Sequence, residues 1–337
     1  MPFIIDEFVF KIPGIESPTP LLDTIGEKPA EKQFDNYDAN KSLGKSRHLS
    51  AATKLLSSTA TKLLSHTSLQ QVIESAPARV GIFIAENNVN LKDDFDFDLC
   101  AKTHGPDHVS PLQAPNTLAN VVGSHFARIS SIEGPNSTVS AGQHGVYHAL
   151  DMAELSLQCG AIDTAIVGAV NVTSCYHKIL QQDQREVCVA ALLSRAHGDA
   201  AVTLYPPLMR ALPDIDEDKV ATLIAQQTRK QLKQSDVDMV WIANGLSQLD
   251  PGRFTTVLTT KKTSPCVVSG KHLLGNEGHC DPLILTCLAH EMFKEETSDW
   301  SRLSKAMFGP APDRANTIAI ISCDEHNQLS VLIMEKV

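Results

Sequence analysis

The chain has few aromatic residues, no long basic run and no long uninterrupted apolar stretch. Aromatic residues make up 5% of its 337 residues, and the formal net charge is −10. A surface that binds nucleic acid is normally basic, so this charge argues against a nucleic-acid partner. No apolar stretch approaches the roughly 20 residues that cross a bilayer, and the starting segment MPFIIDEFVFKIPG carries charges within its apolar run. We therefore expect a cytosolic protein.

Cysteine pairs are also lacking, although the chain contains eight cysteines. No two of them form a CxxC motif, and their spacing fits neither a disulfide framework nor a zinc ribbon. We expect them to be small buried hydrophobic residues. His144 and His148 are four residues apart, a spacing that suits zinc, but no third ligand is evident. We expect packed or interface histidines there, and no metal or cofactor.

Apolar periodicity predicts a layered α/β protein. The order helix, strand, helix, strand, strand occurs twice, about 160 residues apart, which indicates two similar halves. We predict an irregular segment at 1–46 with a possible first strand, then halves at 47–205 and 206–337. Residues 88–117, including DDFDFD (93–98), are predicted to be loop. Predicted helices are 47–69, 117–130, 146–159, 216–234 and 281–294, and predicted strands are 78–87, 161–172, 186–194, 237–245, 316–324 and 328–336.

The stretch GPNSTVSAGQHGVYHALDMAELSLQCG (134–160) has the pattern of a mount for a reactive residue. A strand of small residues leads into a sharp turn, and an amphipathic helix follows and ends at Gly160. A side chain at such a turn points at the positive end of the helix, which lowers the pKa of a thiol. The residue at the turn is Gln143, and its amide is neither acidic nor nucleophilic.

Several segments, taken in order, resemble the β-ketoacyl synthases of the thiolase fold. VSPLQAPNTLAN is similar to the pattern VSPxxxPNxxxN, and GPNSTVSAGQHG to GPxxxxxTACxSG. VDMVWIANGLSQLD and KHLLGNEGH resemble the later segments VNAHGTSTxxxD and GHLLGAAGA. The resemblance covers most of residues 45–337 and implies a thiolase-like fold with duplicated α-β-α-β-α layers.

The resemblance also implies that condensation chemistry has been lost. In active members the turn residue is a cysteine, and two histidines assist decarboxylation of a malonyl group. Here Gln143 takes the cysteine position, Asn244 the first histidine position, and His272 keeps the second. The family's lysine has no secure counterpart among Lys261, Lys262 and Lys271. The C-terminal GFGGxN loop is replaced by SCDEHNQ, and a long insertion before residue 186 is missing.

With a glutamine at this turn, the chain resembles the chain-length factors. These are the inactive subunits that pair with a catalytic ketosynthase in type II polyketide synthases. That likeness implies a heterodimer, or a dimer of heterodimers, that works on acyl carrier protein. It implies that Leu112 and Gln113 line the base of a shared acyl tunnel, and that the amide of Gln143 hydrogen-bonds to the turn. The short length resembles the chain-length factors of aryl polyene pathways. The implied dimer interface is the strand before the turn: Ser137, Thr138, Val139, Ser140, Ala141 and Gly142.

Two other functions stay open at this point. Some ketosynthase-like domains with Gln in place of cysteine decarboxylate malonyl groups on carrier proteins to prime synthesis, and Asn244 and His272 could supply the hydrogen bonds that this needs. The chain could also be a self-associated scaffold. We favour the chain-length factor, because the nucleophile, one histidine, the loop and the insertion are all changed.

Overall fold

The computed structural model describes residues 2–23, 33–34, 48–180, 185–198, 200–232, 236–245, 248–258, 265–275, 278–294 and 299–337. Its strands are β1 (Phe3–Lys11), β2 (Val80–Glu86), β3 (Asn136–Ser140), β4 (Thr164–Asn171), β5 (Val187–Arg195), β6 (Val202–Leu204), β7 (Leu208–Ala211), β8 (Met239–Asn244), β9 (Cys266–Ser269), β10 (Met307–Phe308), β11 (Thr317–Cys323) and β12 (Gln328–Lys336). Its α-helices are α1 (Pro18–Asp23), α2 (Ala51–Ala60), α3 (Thr67–Ser75), α4 (Leu91–His104), α5 (Val121–Ser130), α6 (Gly145–Gln158), α7 (Cys175–Ile179), α8 (Glu217–Leu232), α9 (Pro251–Leu258), α10 (Gly270–Leu274) and α11 (Asp281–Lys294).

The strands form one sheet in which the same order occurs twice. One end runs β3-β2-β4-β5 and the other β9-β8-β11-β12, and β6 and β1 connect the two. In each half the first three strands are parallel and the fourth is antiparallel to its neighbour. Every residue of β2 and of β8 is buried, which explains why they are continuous apolar runs rather than alternating ones. The duplicated halves expected from the sequence are confirmed.

Helices cover both faces of each half and give the layers α-β-α-β-α. Phe83 of β2 and Trp241 of β8 point into a central core that also contains residues of α6 and α11. Ile82 of β2 packs in an outer core with α2 and α5, and Val240 of β8 in another with α8 and α9. Because α6 and α11 touch each other and the strands of both halves, the turn that begins α6 lies at the junction of the halves.

The structure departs from two predictions about irregular segments. The N-terminal segment 1–46 contains the possible first strand as β1 and also the short helix α1, whose Leu21 and Leu22 are buried; residues 24–32 and 35–47 lie outside the described residues. The segment 88–117 contains the 14-residue helix α4, which includes DDFDFD. Apolar periodicity does not predict α4, because none of its side chains is buried and the helix therefore has no apolar stripe at helical spacing.

Other boundaries shift in smaller ways. The helix predicted at 47–69 is α2, a 3₁₀ turn at Thr61–Ser65 and the start of α3. The backbone N–H of Lys219 donates to Asp216 at 2.8 Å, so Asp216 caps the N-terminus of α8. The division at residues 205 and 206 stays a prediction. No helix among the described residues is long and apolar enough to cross a membrane.

Candidate functional site

The turn before α6 has the expected geometry, in which a strand leads into a sharp turn and a helix follows. β3 ends at Ser140, and Gly142 adopts a φ of +52°, a left-handed conformation that glycine accepts at little cost. Gln143 follows within a single 3₁₀ turn, and α6 begins at Gly145. The side chain of Gln143 is half-buried, and its Oε1 is buried without a hydrogen-bond donor among the described residues. The expected hydrogen bond between the Gln143 amide and the turn is therefore not made through this oxygen.

His144 joins this turn to the last two strands. Its Nδ1 lies 2.8 Å from the hydroxyl of Ser330 in β12, and its Nε2 lies 3.3 Å from Oδ2 of Asp324. The second contact is close but poorly aligned for a hydrogen bond. Burial lowers the pKa of His144, and the carboxylate of Asp324 opposes that change. His144 is therefore a buried packing residue, as expected, and not an exposed base.

Asp324 belongs to the SCDEHNQ turn that stands where active ketosynthases have their glycine-rich loop. Its Oδ1 accepts hydrogen bonds from the backbone N–H groups of His326 and Gln328, at 3.0 and 2.9 Å. Asn327 takes a φ of +60° and completes a tight hairpin between β11 and β12. The hairpin thus contacts His144, in the turn that precedes α6, through Asp324 and Ser330.

Asn244, at the first histidine position, is completely buried at the end of β8. Its Nδ2 lies 3.4 Å from the hydroxyl of Ser322 in β11, a long hydrogen bond. The same hydroxyl is 3.1 Å from the hydroxyl of Tyr147, one turn along α6 from Gln143. Tyr147 and Ser322 are completely buried too. Asn244 therefore lies within a closed network that bulk solvent does not reach.

His272, at the second histidine position, is exposed at the start of α10. Its Nδ1 lies 2.7 Å from the hydroxyl of Ser269, which also caps the helix by accepting from the His272 backbone N–H. The centre of its ring is 5.7 Å from that of Phe308 in β10. None of these contacts links it to Gln143 or Asn244. Lys271 is exposed beside it, whereas Lys261 and Lys262 lie outside the described residues.

β3, the strand predicted to form the dimer interface, is an edge strand. Within the described residues it pairs with β2 alone, so its second edge offers unpaired backbone groups. Its five residues carry no charge, and all of them are exposed or half-buried. Ala141 and Gly142 are half-buried after it. An uncharged open edge of this kind can pair with a strand of another chain.

Leu112 and Gln113 lie in the loop before the 3₁₀ turn Ala114–Thr117, and both are exposed. Leu112 is 64% exposed, and nearby Leu118 is 56% exposed. In the isolated chain Leu112 and Leu118 are therefore open to solvent, and Leu112 and Gln113 do not form the base of a closed tunnel.

The sequence argument missed several residues of the site. Ser322 contacts α6, and Asp324 and Ser330 contact the turn before it, across more than 170 positions of sequence, and nothing local marks them. Glu86 carries a clearer signal, since it is an acid at the end of the apolar run GIFIAE. It is buried, it accepts a hydrogen bond from the Ser140 hydroxyl, and its burial raises the pKa of its carboxyl.

Comparisons with solved structures show the same fold. The chain is similar to AntDE:AntF, described as a type II PKS acyl-carrier protein in complex with its ketosynthase bound to the hexaketide (TM-score 0.77, 13% identity, 100% of this chain and 99% of that chain). It is also similar to the ishigamide ketosynthase/chain length factor (TM-score 0.73, 16% identity, 100% of both chains). A third is the ketosynthase ApeO in complex with its chain length factor ApeC from Xenorhabdus doucetiae (TM-score 0.70, 14% identity, 100% of this chain and 98% of that chain).

A comparison with curated proteins gives no match. The family model of the β-ketoacyl synthase N-terminal domain matches residues 18–200, which is more than half of the chain. The matched region contains the strand, turn and helix around Gln143. The chain belongs to the β-ketoacyl synthase family.

Proposed function

We propose that this chain is a non-catalytic chain-length factor that pairs with a catalytic β-ketoacyl-ACP synthase and shapes the acyl tunnel of the pair. The proposal rests on the residues that occupy the three expected catalytic positions and on their surroundings. Gln143 cannot form a thioester, Asn244 is completely buried, and His272 is exposed and bonded to Ser269. Condensation needs a nucleophile and two donors that converge on one thioester, and these residues do not supply them.

The heterodimer is supported by the distribution of exposed apolar side chains. Eight of the nine large hydrophobic residues that are exposed among the described residues lie between positions 95 and 180, in the half that contains the open edge of β3: Phe95, Leu99, Leu112, Leu118, Met152, Leu155, Ile179 and Leu180. A monomer seldom exposes so much apolar surface on one half, and such a surface normally binds another protein. We assign Ser137–Gly142 to this interface.

The partner in this proposal is a ketosynthase with an intact cysteine. Two of the similar structures are described as ketosynthases with chain length factors, and a third as a ketosynthase with its carrier protein. The narrower assignment to an aryl polyene-type pathway rests on the short chain and its missing insertion. We place the complex in the cytoplasm, since all eight cysteines are free, as in a reducing compartment.

Leu112 and Gln113 provide the test of tunnel shaping. They are exposed in this chain, and in the proposed pair the partner covers them and makes their surface part of a closed cavity. Replacing Gln113 by Trp in a reconstituted pair adds bulk at the base of the tunnel, and we expect shorter products. Replacing it by Ala removes bulk, and we expect longer ones. Product lengths are read by mass spectrometry; an unchanged distribution in both variants contradicts the tunnel role.

Priming by malonyl decarboxylation is the second function, and the contacts of the site disfavour it. The Nδ2 donor of Asn244 already faces Ser322, and His272 points to solvent. The purified chain should therefore release no acetyl product from malonyl-loaded carrier protein. If the purified chain does release acetyl product, and His272→Ala abolishes that turnover, the chain is a decarboxylase and the chain-length factor assignment is wrong.

A further inference from the structure

Helix α4 lacks the buried face that normally holds a helix in a folded protein. It has 14 residues, and no side chain among them is buried. Phe95 and Leu99 are 47% and 58% exposed although both are large and apolar. Because most of the stability of a helix in a protein comes from burying one face, α4 has the features of an element that another surface covers.

The short helix α7 extends the apolar surface of α4. The ring of Tyr176 stacks on that of Phe95, with 4.7 Å between the ring centres, and its hydroxyl donates to Asp96 at 2.9 Å. Ile179 and Leu180 follow, 74% and 49% exposed. We call these two helices together with Leu180 the α4–α7 surface.

The α4–α7 surface is acidic at one end. α4 carries four aspartates and two lysines, and both lysines are engaged along the helix, Lys92 with Asp96 and Lys102 with Asp98. The exposed Lys178 on α7 is a third cation, so the carboxylates of the surface outnumber its lysines by one. Asp94 is exposed and forms no ion pair among the described residues. An apolar surface with an unmatched carboxylate complements a partner that is apolar and cationic.

The same surface continues into the edge of β3. The hydroxyl of Ser140, the last residue of β3, donates to Glu86, whose other oxygen lies 3.3 Å from the backbone N–H of Val89. Val89 lies two residues before α4, and the backbone N–H of Asp94 donates to the carbonyl of Asn90 at 2.9 Å, so the first turn of α4 lies beside the end of that strand. A chain that pairs with β3 therefore also meets α4.

We propose that the α4–α7 surface binds a cationic, apolar surface of the catalytic partner subunit and disfavours pairing of two copies of this chain. The inference rests on the proposed function, because it concerns the same partner. A two-fold pair joins the same interface of two copies, so a pair of identical chains offers Asp94 only this same interface, whose carboxylates outnumber its lysines. A partner with cations at that place gains attraction instead, and like charges select against the wrong pair.

Hydrogen exchange gives the first test. The chain is compared alone and in complex with the catalytic ketosynthase that the proposed function pairs it with. We expect the amides of α4 to exchange at least about tenfold more slowly in the complex, since a covered helix opens less often. The amides of α8, on the far side of the other half, serve as the internal control and should not change. A complex that protects β3 but leaves α4 unprotected overturns the inference and leaves the chain-length factor assignment in place.

Charge reversal gives the second test. Asp94→Lys should weaken binding to the ketosynthase about threefold or more at low salt, and the difference should shrink as salt is added. Glu74→Lys reverses an exposed acid on α3 and is the matched control, with unchanged affinity expected. Asp94→Lys should also increase self-association in light scattering. Equal affinities for the two variants, or protection of α4 by carrier protein instead of ketosynthase, contradict the inference. A wild-type chain that binds no ketosynthase contradicts the proposed function itself.

Discussion

Gln143 stands on a turn whose geometry suits a reactive thiol, so restoring the cysteine isolates the contribution of its surroundings. We predict that Gln143→Cys will not condense acyl and malonyl groups on carrier proteins. The introduced thiol lies at a helix N-terminus and should be reactive. The two histidine positions, however, hold a buried amide and an exposed imidazole. The measurement is the intact mass of the products.

Alkylation of the new thiol with iodoacetamide is the control that the turn is folded and reachable. An elongated product from the variant alone would show that Asn244 and His272 still act on a thioester, and it would remove the main support for a non-catalytic role.

At the residue scale the sequence names candidate positions but not their contacts. The order of motifs predicts that Gln143, Asn244 and His272 occupy the former catalytic positions. The pairing of His144 with Ser330 spans 186 positions and depends on how the halves face each other, which no local pattern encodes. The exposure of His272 likewise depends on the position of α10.

At the scale of elements, α6 is held against the second half by hydroxyl groups. Tyr147 on α6 and Ser322 on β11 lie 3.1 Å apart and are both completely buried. We predict that Tyr147→Phe lowers the free energy of unfolding by about 1 kcal/mol, because it leaves the buried hydroxyl of Ser322 with one polar partner fewer. Urea unfolding measures the change.

A double-mutant cycle with Ser322→Ala separates this hydrogen bond from general packing. If the two hydroxyls interact, the second substitution should cost less in the presence of the first. Additive losses would show that the contact between α6 and β11 does not depend on this pair. Tyr205→Phe is a comparison variant, since the hydroxyl of Tyr205 bonds Glu335 elsewhere, at 2.7 Å.

Elements differ in how far the sequence predicts them, and the reason is burial. β2, β8 and α11 are buried almost throughout, so their apolar runs identify them, and the predicted bounds of α11 and β12 are those of the structure. α4 buries nothing within this chain, and its acidic and aromatic residues carry no periodic signal. If a partner covers α4, the information that specifies the helix lies partly in another chain.

At the scale of the whole molecule, two buried histidines make stability depend on pH. His279 and His290 are buried, and burial lowers the pKa of each to about 4. The unfolded chain binds protons near pH 6.5, whereas the folded chain does not, so stability is complete above that pH and is lost as pH falls toward 4. We predict a melting temperature that decreases through this window, with His279 contributing on the order of 2 to 3 kcal/mol.

His279→Gln tests this assignment because it removes the titrating group while an amide N–H can still reach the carbonyl of Val170, which lies 2.9 Å from Nε2 of His279. The variant should lose part of the pH dependence between 6.5 and 4. His326→Gln, at an exposed histidine in the β11–β12 turn, is the control and should melt like the wild type at every pH. Because His279 contacts the end of β4 from the start of α11, a flatter pH profile in His279→Gln would locate the acid sensitivity at the junction of the two halves. Identical profiles for the wild type and His279→Gln would instead assign it to other groups.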